Sequence, residues 1–208
     1  MKFGNFVLAA AAVLGFSFPA WADSYYFNFN NGTGNGPTSQ TIFNHGSITA
    51  TGYIGNELAN LYFKNGGADE TGVGLAKLTD HEIAGNGYIQ LDLGNVMATY
   101  PFGAVSLTAG SLQGSETYSV YGSNIAGVQG TLLGTGNWSS VVFNLGNPLG
   151  YRYISLGAPR GNVLLDAVVV STPEPAAGLL MITGLMAIAA AALFFRRGVM
   201  LGLRDGIA

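Results

Sequence analysis

The sequence predicts an all-β protein whose body, residues 23–170, forms a single β-sandwich. Three observations predict it. Short runs of alternating apolar and polar residues recur along that stretch, glycine and asparagine turns separate them, and no window holds a helical period of useful length. Eight or more short strands with one apolar face each have to bury those faces against one another, which two packed sheets achieve.

Taken in order, the chain opens with Met1-Lys2, a positive start, and an apolar core, Phe6 to Phe18, that is short for a membrane span. Ala20-Trp21-Ala22 then supplies small residues at the two positions a signal peptidase reads, so residues 1–22 are expected to be a signal peptide cleaved after Ala22. An uncleaved anchor helix is the other reading. Predicted strands follow at Tyr25–Phe29, Ser47–Ile54 and Leu58–Lys64, with a loop from Asn30 to Pro37. Tyr88–Leu93 alternates cleanly, Ile89, Leu91 and Leu93 on one face against Tyr88, Gln90 and Asp92 on the other. Val105–Ala109, the stretch around Tyr118 and Val120, Val141–Leu145, Tyr151–Leu156 and Val163–Val170 complete the set.

Residues 171–208 read differently. Ser171-Thr172-Pro173-Glu174-Pro175 leads into an uncharged apolar run, 176–195, that stops at Arg196-Arg197. A helix of that length reaches about 30 Å, the thickness of a bilayer's hydrocarbon core. The arginine pair is expected to stay on the cytoplasmic side, leaving the body exported.

Composition narrows function. Charged residues make up 9% of the chain and glycine accounts for 32 residues. Within 23–170, four basic residues face nine acidic ones, a net charge of −5. Nothing there neutralises a phosphate backbone, so a nucleic-acid partner is not expected. The chain has no cysteine, which excludes disulfides, thiolate metal sites and a cysteine nucleophile. His45 and His81 are too few for a histidine-rich zinc site.

Two groups of residues are candidates for chemistry. The segment Gly66–Leu75 sets Asp69 and Glu70 among four glycines, ahead of Asp80, His81 and Glu82. Hard cations take carboxylate and carbonyl oxygens, and a glycine-rich loop bends to offer both, although the spacing is not that of an EF-hand. A solvated turn is the plainer reading of the same residues. The second group is aromatic: Trp138, Tyr151 and Tyr153, with Tyr100 and Tyr121 of similar type, suit the apolar face of a sugar ring or equally the sandwich core. Arg152 and Arg160 read as sugar-hydroxyl donors or as ordinary surface charges. Catalysis is not expected. No Gly-x-Ser-x-Gly elbow appears, and nothing in the order of Asp69, Glu70, Glu82, Asp92 and Glu116 holds two carboxylates at a glycosidase spacing.

Two resemblances add to this. Pro173, Glu174, Pro175, the apolar helix 176–195 and Arg196 with Arg197 resemble the PEP-CTERM sorting signal. That likeness implies transient anchoring in the inner membrane, processing by an exosortase, and delivery to the surface or matrix of bacteria that make exopolysaccharide. Here the chain runs on from Gly198 to Ala208, where such signals usually end within a few residues of the arginines. The strings Tyr88–Gly94, Val105–Leu107, Tyr118–Ser123, Gly130–Gly134, Tyr151–Leu156 and Asn162–Asp166 resemble the galactose-binding-like jelly rolls of discoidin and coagulation-factor C domains. Sugar-binding modules of that type imply a jelly-roll-like sandwich and a structural calcium joining an early loop to the last strand. Asp69, Glu70 and Asp166 are its expected ligands. The expected function is thus an exported, non-catalytic surface or matrix protein associated with exopolysaccharide in a biofilm, the alternative a calcium-supported carbohydrate-binding module.

Overall fold

The computed structural model describes residues 23–67, 70–100, 103–146 and 150–172, together with Gly184, Met186 and Ile188 of the tail, which are helical. The leader, Ala22 and the sorting residues Pro173, Glu174, Pro175, Arg196 and Arg197 lie outside the described residues, as does Asp69. Among the described residues no helix is long and apolar enough to cross a membrane.

Asp23–Thr172 is one compact unit that carries every described strand. Its first half contributes β1 (Ser24–Asn28), β2 (Gly34–Asn35), β3 (Ser39–Phe43), β4 (Ser47–Ile54), β5 (Glu57–Ala59), β6 (Leu61–Asn65), β7 (Thr71–Leu75), β8 (Ile83–Ala84) and β9 (Gly87–Asp92). A short helix α1 (Gly94–Thr99) follows, then β10 (Ala104–Gly110), β11 (Thr117–Ser123), β12 (Thr131–Asn137), β13 (Val142–Gly146), β14 (Tyr153–Arg160) and β15 (Asn162–Ser171). They form two antiparallel sheets, as the alternation predicts. One runs β13-β10-β15-β7-β6-β2, with β1 and β8 also on β15; the other runs β12-β11-β14-β9-β4-β3, with β5 on β4.

The longest strand, β15, organises the first sheet. Its second half lies between β10 and β1, with Val168 opposite both Leu107 and Phe27; its first half meets β7 at Leu165 and β8 at Asn162 and Val163. The inward faces of both sheets make a single core, among them Phe27, Ile48, Leu61, Ile89, Leu91, Leu107, Ile154, Leu156, Val168 and Val170, all fully buried. Burial of this kind contributes about 25 cal/mol per Å² of apolar surface and takes the place of disulfides.

Glycine in this fold makes room for rings. A Cβ at Gly136 would fall 2.2 Å from the Tyr118 ring, one at Gly134 2.6 Å from Phe143, and one at Gly122 2.6 Å from Tyr151. Aromatic rings therefore occupy the space a Cβ would take, restoring burial that a glycine strand lacks. Two sequence expectations are corrected by the strand layout. Gly66–Leu75, expected as a loop, ends in the buried strand β7, where a Cβ on Gly74 would sit 2.2 Å from the His81 carbonyl oxygen and one on Gly72 2.7 Å from that of Leu165. Its glycines serve close backbone approach as well as bending. Leu58–Lys64, expected as one strand, breaks at Asn60 into β5 and β6, which join different sheets.

Candidate functional site

An open cleft of about 680 Å³ is lined by Gly94, Asn95, Met97 and Ala98 of α1 and by Asn124, Tyr151 and Arg152. Its geometry starts at Asp92, the last residue of β9. Asp92 Oδ1 accepts a hydrogen bond from the Gly94 N–H at 2.8 Å, turning the chain into α1, and another from Arg152 Nε at 3.0 Å. Arg152 Nη2 donates to Oδ2 at 2.8 Å, which closes a two-point carboxylate–guanidinium fork. A Cβ on residue 94 would come within 3.0 Å of both Arg152 Nε and Asp92 Oδ1, so glycine leaves the fork its space.

The arginine backbone is fixed as firmly as its side chain. Arg152 N–H donates to Asn124 Oδ1 at 2.8 Å, its carbonyl accepts from Leu93 N–H at 3.0 Å, and Asn124 Nδ2 donates to the Gly150 carbonyl at 2.8 Å. The guanidinium carbon stands 5.2 Å from the Tyr153 ring centroid, a cation–π contact. Burial pushes the Asp92 carboxyl upward, but the hydrogen bonds from Arg152 and Gly94 outweigh it and hold its pKa below the usual value. The fork is thus charged on both sides and neutral in sum. With Tyr151, the amide of Asn95 and the apolar atoms of Met97 and Ala98, the cleft offers donors, acceptors and a flat apolar surface together.

The three predicted aromatic ligands do not form one face. Tyr151 packs its ring on Gly122, toward the end of β11, and lines the cleft; Tyr153 lies beneath Arg152. Trp138 follows Asn137, which pairs with Thr117 at the opposite end of β11. Seven residues of strand separate the two ends, about 20 Å. Sequence reasoning missed Asp92 and Asn95 as cleft residues. The Asp92-Leu93-Gly94-Asn95 string was the available signal, since a strand that ends in Asx-x-Gly turns on its own carboxylate.

The expected metal residues are occupied otherwise. Glu70 Oε2 pairs with Lys64 Nζ at 2.8 Å and Oε1 accepts from Gln113 Nε2 at 3.1 Å. The hydrogen bond from Lys64 holds the Glu70 pKa below the usual carboxylate value. Lys64 also pairs with the buried Glu82, to which Ser111 Oγ donates at 2.9 Å. Burial pulls the Lys64 ammonium down, while the hydrogen bonds of Glu70 and Glu82 more than offset it and raise its pKa. Asp166, on β15, is held instead by the residues after β1: Asn30 Nδ2 donates to its Oδ1 at 3.1 Å and the Phe29 N–H donates to its carbonyl at 3.0 Å. A cation at Glu70 has to displace an ammonium. Among the described residues no group of three His, Asp or Glu side chains is arranged to hold a metal.

No family of known proteins, no curated protein and no solved structure matches this chain.

Proposed function

We propose that this chain is an exported, non-catalytic protein of the cell surface or extracellular matrix, a jelly-roll-like sandwich that contacts exopolysaccharide through the Asp92–Arg152 cleft. The cleft carries the reading. A locked guanidinium–carboxylate fork beside an aromatic ring and the Asn95 amide, whose Oδ1 is held by the Ser47 N–H, suits adjacent sugar hydroxyls, which both donate and accept. The fork is neutral in sum and the body carries −5, so neutral sugar units are favoured over acidic ones.

Export and sorting are supported by the leader-like sequence at 1–22 and by Pro173-Glu174-Pro175, the uncharged apolar run 176–195 and Arg196-Arg197. A signal peptidase removes the leader after Ala22, the tail holds the chain in the inner membrane facing the periplasm, and an exosortase-type enzyme releases it. The body's ends suit that handling: Thr172 N–H donates to the Asp23 carbonyl at 2.9 Å and Ser24 pairs with Ser171, so cleavage after Ala22 leaves β1 whole.

Residues 23–172 presented to arrayed neutral and acidic polysaccharides should bind selectively among the neutral ones. Arg152→Ala and Tyr151→Ala should weaken that binding at least about tenfold, the equivalent of about 1.4 kcal/mol, in variants that keep the circular dichroism spectrum of the folded body. Absence of selective binding, or binding indifferent to both changes, disproves the cleft. For sorting, alanine at Pro173, Glu174 and Pro175 should leave full-length protein in the inner membrane. Unaltered release means that the triplet is not read.

A further inference from the structure

We infer that the end of the sandwich at which β15 finishes docks on the lipid surface while the tail holds the chain in the membrane, an inference that rests on the anchoring reading above. Strand register gathers that end from both sheets. In the first, Ser24 and Ala104 stand opposite Ser171. In the second, Phe43 pairs with Ser47, and Asp92 stands opposite Thr49 and Tyr153. Side chains tie the two together. The Tyr25 ring lies 5.0 Å from His45 and 4.9 Å from Tyr100, and Asn44 Nδ2 donates to the Tyr26 carbonyl at 2.9 Å.

This end is aromatic and nearly free of charge. Phe43 is 79% exposed and Tyr26 62%, beside the half-buried Tyr25 and Tyr100. No Asp, Glu, Lys or Arg occurs from Ser24 to Asn56 or from Leu93 to Ser115, and Asp92 and Arg152 neutralise each other. Asp23 is left as the one uncompensated charge among the described residues here. Charge collects at the other end, where Glu57 pairs with Ile54, Arg160 with Thr117, and Asn162 Nδ2 donates to Asp80 at 3.5 Å. Aromatic rings settle at the boundary between headgroups and hydrocarbon, which charged groups avoid.

Chain length selects the occupant. Thr172 closes the body and the apolar run begins at 176, so only Pro173-Glu174-Pro175 separates them. Four Cα steps reach at most about 14 Å, and the headgroup layer is about 5–7 Å deep on each side. A tail seated in the bilayer therefore brings this end, and not the charged one, against the headgroups. Any other partner must find the face from solution, whereas lipid meets it at the high effective concentration of a short tether. Weak contact suffices while the tether lasts and does not retain the released body.

Quenching by brominated lipid tests this on residues 23–208 in phosphatidylcholine nanodiscs. Trp138, the single tryptophan of that chain, follows Asn137, which pairs with Thr117 at the charged end, and should stay unquenched. With Phe43→Trp in a Trp138→Phe background, the introduced indole should emit at shorter wavelength and be quenched by bromines near the headgroups. Adding Tyr26→Asp should abolish both effects, and so should presenting the same discs with residues 23–172 alone. A chain that does not co-migrate with the discs disproves the anchoring reading and takes the docking with it. A chain that co-migrates with an unquenched indole overturns the docking and leaves the anchoring intact. Quenching of Trp138 overturns it too, by putting another face on lipid. So does quenching that survives Tyr26→Asp, which would make proximity a matter of the tether alone.

Discussion

At Gly74 a methyl group would decide whether two pieces of backbone can touch. Its added Cβ would lie 2.2 Å from the His81 carbonyl oxygen and 2.7 Å from the Glu82 Cα. Both are main-chain atoms of a segment in which Asp80 and His81 already hold positive φ, so no side-chain rotation relieves the clash. Gly74→Ala should therefore cost about 3 kcal/mol, read as a melting temperature lower by roughly 6–12 °C. Gly150→Ala, with nothing within 4 Å of the added carbon, should change stability by less than about 0.5 kcal/mol. Equal melting of the two variants contradicts the close-approach account of β7. The sequence displays Gly72 and Gly74 plainly but cannot say which kind of glycine they are. A turn glycine and a contact glycine differ in what lies across from them: Leu165 comes there through pairing of β7 with the distant β15, and His81 through the helical turn Thr79–His81 that folds back on β7. The same ambiguity drew Asp69 and Glu70 toward a cation, because Lys64, which takes Glu70, lies on β6 and reads in sequence as an ordinary strand lysine.

Between residues and sheets, the segment 124–130 is the element that alternation could not foresee. Ile89 and Leu91 face the core as their spacing predicts, yet Tyr88 and Gln90, on the opposite face, are buried as well. The connection from β11 to β12 folds across them. Gln90 Nε2 donates to the Val128 carbonyl at 2.9 Å, the Gly127 N–H donates to Gln90 Oε1 at 2.8 Å, and Tyr88 Oη donates to the Gly127 carbonyl at 2.6 Å. One side-chain amide thus serves as a strand partner for a loop. Gln90→Leu removes both bonds to the loop and a longer one from Nε2 to the buried Ser155 Oγ at 3.5 Å, and the loss should be about 1–2 kcal/mol, moderated by solvent reaching the loop. The Gly127 amide should exchange with solvent much faster in that variant while amides of β14 and β9 keep their protection. Uniformly faster exchange across the sheet instead means that the clasp supports the whole layer rather than the loop. An amide on the solvent face of an alternating strand is compatible with this arrangement and with plain exposure, which is why period-two patterning located β4, β9, β10 and β15 but not the loop above them. It also passed over β12, where Gly134 and Gly136 interrupt the apolar series that their covering rings complete in space.

For the molecule as a whole, few charges mean that pH acts through a small number of named groups. Asp92 and Glu70 have pKa values below those of free carboxyls, so their contribution is present above about pH 4, the unfolded range, and is lost as pH falls through the lower folded values. Both pairs reach solvent, which keeps that acid effect small at physiological salt. The alkaline side should be steeper. Tyr53, Tyr88 and Tyr118 are buried, and burial raises all three phenols above their ordinary value. An unfolded tyrosine ionises near pH 10 while these stay neutral in the native sandwich, so folding loses stability as pH rises above about 10. Denaturant midpoints should accordingly hold level across neutral pH, fall slightly in acid and fall strongly in alkali. The phenolate absorbance of these three rings should appear together with loss of tertiary signal, not before it. Tyr118→Phe separates this linkage from general charge repulsion: it removes one ionisable phenol together with a 2.5 Å hydrogen bond to the Ser140 carbonyl. The variant should be less stable at pH 7 yet lose less than wild type between neutral and alkaline pH. A variant curve running parallel to wild type on the alkaline side would mean that the buried phenols do not set that limit and that repulsion within a body carrying −5 does.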